Sequence, residues 1–495
     1  MGRVLEVPTL NKAGVMEYEA VIGLEVHCQL LTQTKIFCGC PTRFGDTPNT
    51  NVCPVCLGMP GVLPVLNKKT VDYALRAGLA LGCTIQPVSV FARKNYFYPD
   101  LPKGYQISMY DQPLMTGGHL DIEAGEGRRR IGITRIHMEE DAGKLLHEGF
   151  ADSATKSYVD YNRAGVPLIE IVSEPDMRTP AEAHAYFSAL RGLLVWIGVT
   201  DGNMEEGSLR CDANISLRPK GQEAFGARTE LKSLNSFRFV QFAIEHEIVR
   251  QRQVLESGGR VVQETRLYDA KQDRTVSMRS KEEAHDYRYF PEPDLPTLRV
   301  DAAWIEAVRR GLPELPWARR ERFVREHGLK DQDAQVLTSE RALSDYYEGV
   351  AAASGNGRAA AGWVLTEVLR KVREEKIGLD RVPLEPARLA ALVRLVDGGT
   401  ISGKTAKDLF EEIWASGGDP AVIVRERGLG QVSDEGAIAA AVDAVLAANP
   451  GQVATFRAGK TGVLGFLVGQ VLKATGGKAN PALVNRLIKD RLDTP

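Results

Sequence analysis

The 495-residue chain is 43% hydrophobic and 25% charged, and its 62 basic and 64 acidic residues leave a net charge of −2. That composition excludes a disordered chain, a collagen-like chain and a small disulfide scaffold, and the length predicts about three domains of roughly 150 residues. Near-neutral charge also excludes an all-over basic coat for nucleic acid, while a local basic patch remains open.

Residues 1–17 read as a loose leader without a signal-peptide h-region, and no apolar run is long enough to span a bilayer, so a cytoplasmic location with no membrane partner is expected. From Tyr18 to about Val300 short alternating segments broken by Gly, Pro, Asn and Asp predict strands and loops. The first strand, AVIGLEVHCQL, alternates Ile22, Leu24, Val26 and Cys28 with Glu25, His27 and Gln29. A period of two puts Glu25 and His27 on one face, about 7 Å apart. Next comes IFCGC…NVCPVC, a C-x-C-x12-C-x2-C array of Cys38, Cys40, Cys53 and Cys56. Two close pairs of thiolates suit a tetrahedral Zn²⁺ and leave no open position, which favours a structural role. Cys28, Cys83 and Cys211 sit among apolar residues and read as core cysteines.

A helix is expected over residues 67–81. In RKNYFYPDLPKGYQIS the cations Arg93, Lys94 and Lys103 interleave with Tyr96, Phe97, Tyr98 and Tyr105, a pattern that suits a phosphate beside a base or, equally, a structural aromatic cluster. The strand ITRIHMEEDAGK ends in Glu139, Glu140 and Asp141, and VPLIEIVSEPD carries Glu170 in an otherwise apolar strand. An ionised carboxylate there is costly unless it is paired or binds a metal. Thr179 and Pro180 mark the start of a helix over 180–196. NMEEGSLRCDANISLR offers Glu205 and Glu206 before a strand with Arg210, Asp212 and Asn214 on one side. A helix over 236–256 follows, and PEPDLPTL reads as a rigid extended linker.

Beyond about Leu312 the composition turns helical, with helices expected over 316–327, 339–353, 359–375, 386–397, 403–414, 434–448, 461–474 and 481–492. Gly398–Thr405 reads GGTISGKT, a literal phosphate-loop match, but the preceding PARLAALVRLVD has helical spacing where a phosphate loop needs a buried strand. Between Gln452 and Arg491 seven basic residues face one acid, a local positive module suited to a polyphosphate partner.

Carboxylates and an imidazole at the ends of several strands suit Mg²⁺, which prefers oxygen ligands shared with phosphates. No Cys or Ser stands in an evident nucleophile motif.

These motifs, together with PVCLGMPGVLPVLN, ELKSLNSF, DYRYFPEPD and LVGQVLKATGGKANP, strongly resemble the B subunits of the glutamyl/aspartyl-tRNA amidotransferases along nearly the whole chain after the leader. The resemblance implies an α+β chain: a β-rich cradle domain at 18–308, a helical domain at 309–418 and a YqeY-like tail at 419–495. It implies ATP-dependent phosphorylation of the side-chain carboxylate of Glu-tRNA(Gln) or Asp-tRNA(Asn), followed by amidation with channelled ammonia. By position it implies His27, Glu140 and Glu170 as Mg²⁺ ligands, and Glu25, Glu139 and Glu206 as catalytic carboxylates. Lys94 and Tyr96 are expected at ATP or substrate, Cys38, Cys40, Cys53 and Cys56 on Zn²⁺, and Lys460, Lys473 and Lys478 on tRNA. Implied partners are the glutaminase A subunit, the C subunit, the misacylated tRNA and a non-discriminating synthetase. The alternative reading, a zinc-stabilised non-catalytic RNA-binding factor, fits the cysteines and the tail but not Glu170 or the HMEED carboxylates.

Overall fold

A computed structural model describes residues 16–493, apart from 126, 148, 270–271, 273, 281–286, 431–434 and 477–478. Most of the leader and Lys478 therefore lie outside the described residues. The chain is α+β and divides between Leu315 and Pro316 into a sheet-rich unit and a helical unit.

The first unit is built on a 14-stranded sheet. Its main strands are β1 (Tyr18–Gln29), β2 (Val88–Asn95), β3 (Tyr105–Gln112), β4 (Gly127–Glu140), β5 (Pro167–Ser173), β6 (Leu209–Pro219), β7 (Thr229–Leu234), β8 (Glu264–Asp269), β9 (Arg274–Ser280) and β10 (Arg288–Pro291). They run across the sheet in the order β9-β8-β7-β6-β1-β5-β4-β3-β2-β10, and four short strands flank this path. β1 is central, antiparallel to both β5 and β6. Its even-numbered residues Ile22, Leu24, Val26 and Cys28 are fully buried. They share one core with helices α1 (Lys68–Ala80), α2 (Pro180–Trp196) and α3 (Phe237–Glu256). Each such aliphatic side chain contributes about 1.5–3 kcal/mol. The odd-numbered residues are thereby committed to the other, polar face.

Local signals place the helices. Asn67 caps α1 by accepting from Lys69 N–H, Thr179 caps α2 ahead of Pro180, and Ser236 caps α3. Gly78 lies inside α1 because a Cβ there would fall 1.9 Å from the Met115 sulfur. The expected linker near Pro291 is corrected. Arg288–Pro291 and Leu298–Arg299 both pair with β2, and Glu292 is buried against the Arg93 guanidinium at 2.7 and 2.9 Å. A proline is tolerated at such an edge because it removes no interior ladder bond.

A helix not anticipated from sequence, Ala302–Arg310, follows Asp301, which caps it, and Trp304 donates its indole N–H to Asp72 of α1. The expected boundary at 308/309 falls inside this helix. In the second unit Pro316–His327 and Pro386–Asp397 have the expected bounds, and the expected helix 359–375 is interrupted by a π-turn at Val364–Val368. Three further short helices have no counterpart among the expected elements: Asp331–Leu337, Pro420–Glu426 and Pro450–Arg457. Two apolar clusters form here, one from Phe323 to Val424 and one from Ile438 to Leu492. Val424 belongs to the former, so residues just past 419 pack with the helical module that precedes the tail. Among the described residues, no single helix is long and apolar enough to cross a membrane.

The GGTISGKT match sits between two helices, Pro386–Asp397 and Gly403–Ser416, and Ser402 caps the latter. With no strand feeding it, the backbone nest of a phosphate loop is not formed. Lys404→Ala is therefore expected to leave any nucleotide affinity of the chain within about twofold, read by equilibrium binding; a tenfold weakening would contradict this assignment.

Candidate active site and metal centre

Strand register brings the polar residues together. His27 on β1 lies directly opposite Glu170 on β5, Glu170 opposite His137 on β4, and Arg210 on β6 opposite His27. One cross-strand row thus reads Arg210, His27, Glu170, His137. Glu139 is two residues beyond His137 and on its face. His27 Nε2 lies 3.5 Å from Glu170 Oε2 and 4.0 Å from Glu139 Oε1. His137 Nε2 is 3.6 Å from both carboxylates. Ligand atoms of His27, Glu139 and Glu170 all fall within 4.8 Å of one another.

Electrostatics keep this group anionic. Burial pushes the Glu170 carboxyl up, but His137 and His27 outweigh it and hold Glu170 well below the usual range. Glu139 is likewise lowered against burial by the adjacent His137 imidazole at 3.6 Å. Glu25, two residues from His27, is raised by burial and then by the nearby Glu170, and it accepts a 2.8 Å hydrogen bond from Asn214. The buried Nδ1 of His27 and both ring nitrogens of His137 have no hydrogen-bond partner. Two carboxylates and an unsatisfied imidazole are a donor set that fits a divalent cation.

Glu140 does not join His27 and Glu170; its carboxylate accepts from Lys103 Nζ at 2.5 Å and from Ile107 N–H at 2.9 Å. Neighbours on a strand face opposite sides, so only one of Glu139 and Glu140 can reach the row. Glu206 lies on the turn before β6, its N–H donating to Asn203, and does not join the group. His137 joins the site without having been singled out from the sequence, although its spacing of two from Glu139 was the available signal.

The three cations of the aromatic segment have separate fates. Arg93 and Lys103 are taken up by Glu292 and Glu140. Lys94 has no carboxylate within 4.0 Å among the described residues; it lies 4.7 Å from the Tyr287 ring centre and 5.8 Å from that of Tyr96, and it helps lower Glu139 and Glu170. Tyr96 and Tyr287 are in edge contact, Tyr110 stacks on Tyr289, and Arg135 lies 4.4 Å over Tyr110 and 3.9 Å from Glu170. An aromatic and cationic wall therefore borders the carboxylates.

Asp141 anchors the end of the site. It accepts from Arg210 at 2.9 and 3.2 Å, from Gln29 at 2.7 Å and from Ala142 N–H at 2.9 Å. Burial raises its carboxyl, but Arg210 and then Arg163 bring it down to about 2. The folded value lies below the unfolded one, so this contribution to stability is full above about pH 4 and is lost as pH falls toward 2. Asp141→Asn leaves the half-buried Arg210 without its carboxylate partner and is expected to cost about 2 kcal/mol, measured by denaturant unfolding at neutral pH. A loss under about 0.5 kcal/mol would contradict it.

The second centre is the cysteine array. The sulfurs of Cys38, Cys40, Cys53 and Cys56 lie within 4.8 Å of one another and none is in a disulfide. Tetrahedral zinc needs sulfurs about 3.8 Å apart, so the array fits the ion with little movement. Cys53 N–H donates to the Cys56 sulfur at 3.2 Å. The Cys56 thiol is pulled down to about 4, by the Cys38 thiol first and also by Lys35, while burial pushes Cys40 up to about 11. Burial pushes Cys28 and Cys83 up to about 12, as befits unreactive core thiols.

Residues 20–306 match the model of the GatB/GatE catalytic domain, and residues 345–492 match the GatB domain. A protein of Solidesulfovibrio magneticus is 60% identical over 475 residues, covering 96% of this chain and 99% of its own. One of Geobacter sulfurreducens is 59% identical, covering 96% and 100%. One of Carboxydothermus hydrogenoformans is 57% identical, covering 96% and 99%. All three are named as the B subunit of an aspartyl/glutamyl-tRNA(Asn/Gln) amidotransferase.

Proposed function

The chain belongs to the family of B subunits of the Asp/Glu-tRNA amidotransferases, and we propose from that premise that it phosphorylates the side-chain carboxylate of tRNA-borne Glu or Asp with ATP and then amidates it. The observation that carries this reading is the convergence of His27, Glu139 and Glu170 beside a cationic aromatic wall. Replacing a carboxylate oxygen by nitrogen needs a better leaving group than oxide, and an acyl phosphate supplies one. Phosphoryl transfer asks the protein for charge neutralisation and positioning rather than for a nucleophile.

His27, Glu139 and Glu170 would hold Mg²⁺, which when bound neutralises the charge of the transferring phosphoryl group. Lys94 and Arg135 offer cations to the anionic reactants, and Tyr96 with Tyr287 offers ring surface to a base. Glu25, with its raised carboxyl, is the better proton acceptor of the polar face. It takes a proton from arriving ammonium so that neutral ammonia attacks the acyl phosphate and phosphate leaves. Ammonia itself comes from a glutaminase A subunit, with a C subunit completing the enzyme. The four cysteines hold Zn²⁺ in a structural role, the tail from about residue 419 grips the tRNA body, and the enzyme works in the cytoplasm.

The deciding assay combines the purified complex with misacylated tRNA, ATP, Mg²⁺ and glutamine. Formation of Gln-tRNA or Asn-tRNA together with phosphate supports the reading, and tRNA binding without phosphate release refutes it.

A further inference from the structure

Lys35 is buried to 0% exposure, yet among the described residues no carboxylate lies within 4.0 Å of its ammonium. Its Nζ donates instead to the Cys56 sulfur at 3.6 Å and to the Tyr161 carbonyl at 3.3 Å. A buried cation needs an anion, and a single sulfur at 3.6 Å with one carbonyl is modest compensation. Four thiolates around a divalent ion carry a net negative charge and supply what is missing. The backbone of Lys35 adds a second tie, its N–H donating to the Cys40 carbonyl at 2.9 Å, so one residue touches both cysteine pairs.

We infer that Lys35 is the outer-sphere cation of the four-cysteine centre, balancing its charge and latching it to the loop that carries Tyr161 and Gly165. The inference rests on the zinc reading given above and extends it to a residue outside the ligand set. Gly165 lies on the far side of Lys35. Ile36 N–H donates to the Gly165 carbonyl at 2.9 Å. Gly165 has φ +85°, and a Cβ there would stand 3.5 Å from Lys35 Cδ and 3.6 Å from Cys56 Cβ. The stem of Lys35 thus runs beside Gly165 while its head points to sulfur. A hydrogen bond from an ammonium draws electron density from the thiolate and lowers its nucleophilicity. Two disulfides in place of four thiolates would be neutral and would strand the ammonium, so Lys35 also sets the cluster against oxidation.

The test uses the full-length chain and compares Lys35→Met, which keeps the length without the charge, with Lys35→Arg, which keeps the charge. Zinc content is measured first, then the rate of zinc transfer to a chromogenic chelator and the rate of cysteine alkylation by iodoacetamide. Lys35→Met is expected to lose zinc and alkylate about tenfold faster than wild type or more, with Lys35→Arg closer to wild type. Equal rates for wild type and Lys35→Met, with zinc bound to both, overturn the role of Lys35 and leave the metal site standing. A wild-type chain that binds no zinc overturns the metal reading and this inference with it. Should Lys35→Met fail to fold, lysine acylation of the wild-type protein read by mass spectrometry decides. Lys35 is expected to be protected in the zinc form and labelled about tenfold faster after chelation; labelling that ignores the metal overturns the inference.

Discussion

Under the proposed function, Glu170→Gln is expected to lower ATP-dependent amidation on the order of a thousandfold in turnover while leaving glutamine hydrolysis by a glutaminase partner in place. Glu170 lies between the two imidazoles, at 3.5 and 3.6 Å, nearer His27 than Glu139 is at 4.0 Å, and it shares its site with Arg135 at 3.9 Å. The amide keeps the shape and removes the charge, so one metal ligand and the counter-charge of His27 vanish together. Phosphate release in the presence of misacylated tRNA is the readout. Amidation within a few-fold of wild type would place the metal elsewhere. A matching loss of glutaminase activity measured without tRNA would instead mean that the assembly had been disturbed.

The second large effect concerns the tail. Of the seven basic residues between Gln452 and Arg491, Arg486 and Arg491 are held by Glu435 and Asp443 at 2.8 Å. The charge available to a partner is smaller than the sequence count implies. Lys460 and Lys473 are exposed and near the ends of their helical segments. Changing Lys460, Lys473 and Lys478 to Glu is expected to weaken tRNA binding about a hundredfold at low salt and to flatten the salt dependence by roughly two to three units of slope. Circular dichroism should stay unchanged, because the core of the tail among the described residues includes Ile438, Val442, Leu467, Val471, Val484 and Ile488 and neither Lys460 nor Lys473. If the folded triple variant binds tRNA as wild type does, and only deletion of residues 419–495 weakens it, the module acts through packing. Contacts of this kind set position on the tRNA and carry no base information.

How far the sequence can be read differs between strands and the site they build. The alternation in AVIGLEVHCQL separates the buried Leu24, Val26 and Cys28 from Glu25 and His27, because burial of one face is a local property of a strand. Thr179–Pro180 announces α2 for a similarly local reason. The row from Arg210 to His137 is different. It depends on pairing residues that lie 143 positions apart in His27 and Glu170, and no local pattern encodes that register. That Glu139 and not Glu140 lies beside His27 is a one-residue matter of parity: both are acidic, both end the same strand, and only the ladder to β5 decides which faces the row. The unanticipated short helices, such as Asp331–Leu337, offer too few turns for an apolar period to show.

The central place of β1 has a consequence for synthesis. This strand leaves the ribosome first among the strands described, yet its two neighbours are residues 167–173 and 209–219. At about 5–20 residues per second its partners arrive some 10–40 s later. Through that interval an apolar, β-branched segment stands with both edges unpaired, a template for pairing with the wrong chain. The nascent protein is therefore expected to need a chaperone early in translation, and the row from Arg210 to His137 is assembled only when the sheet closes around its oldest strand.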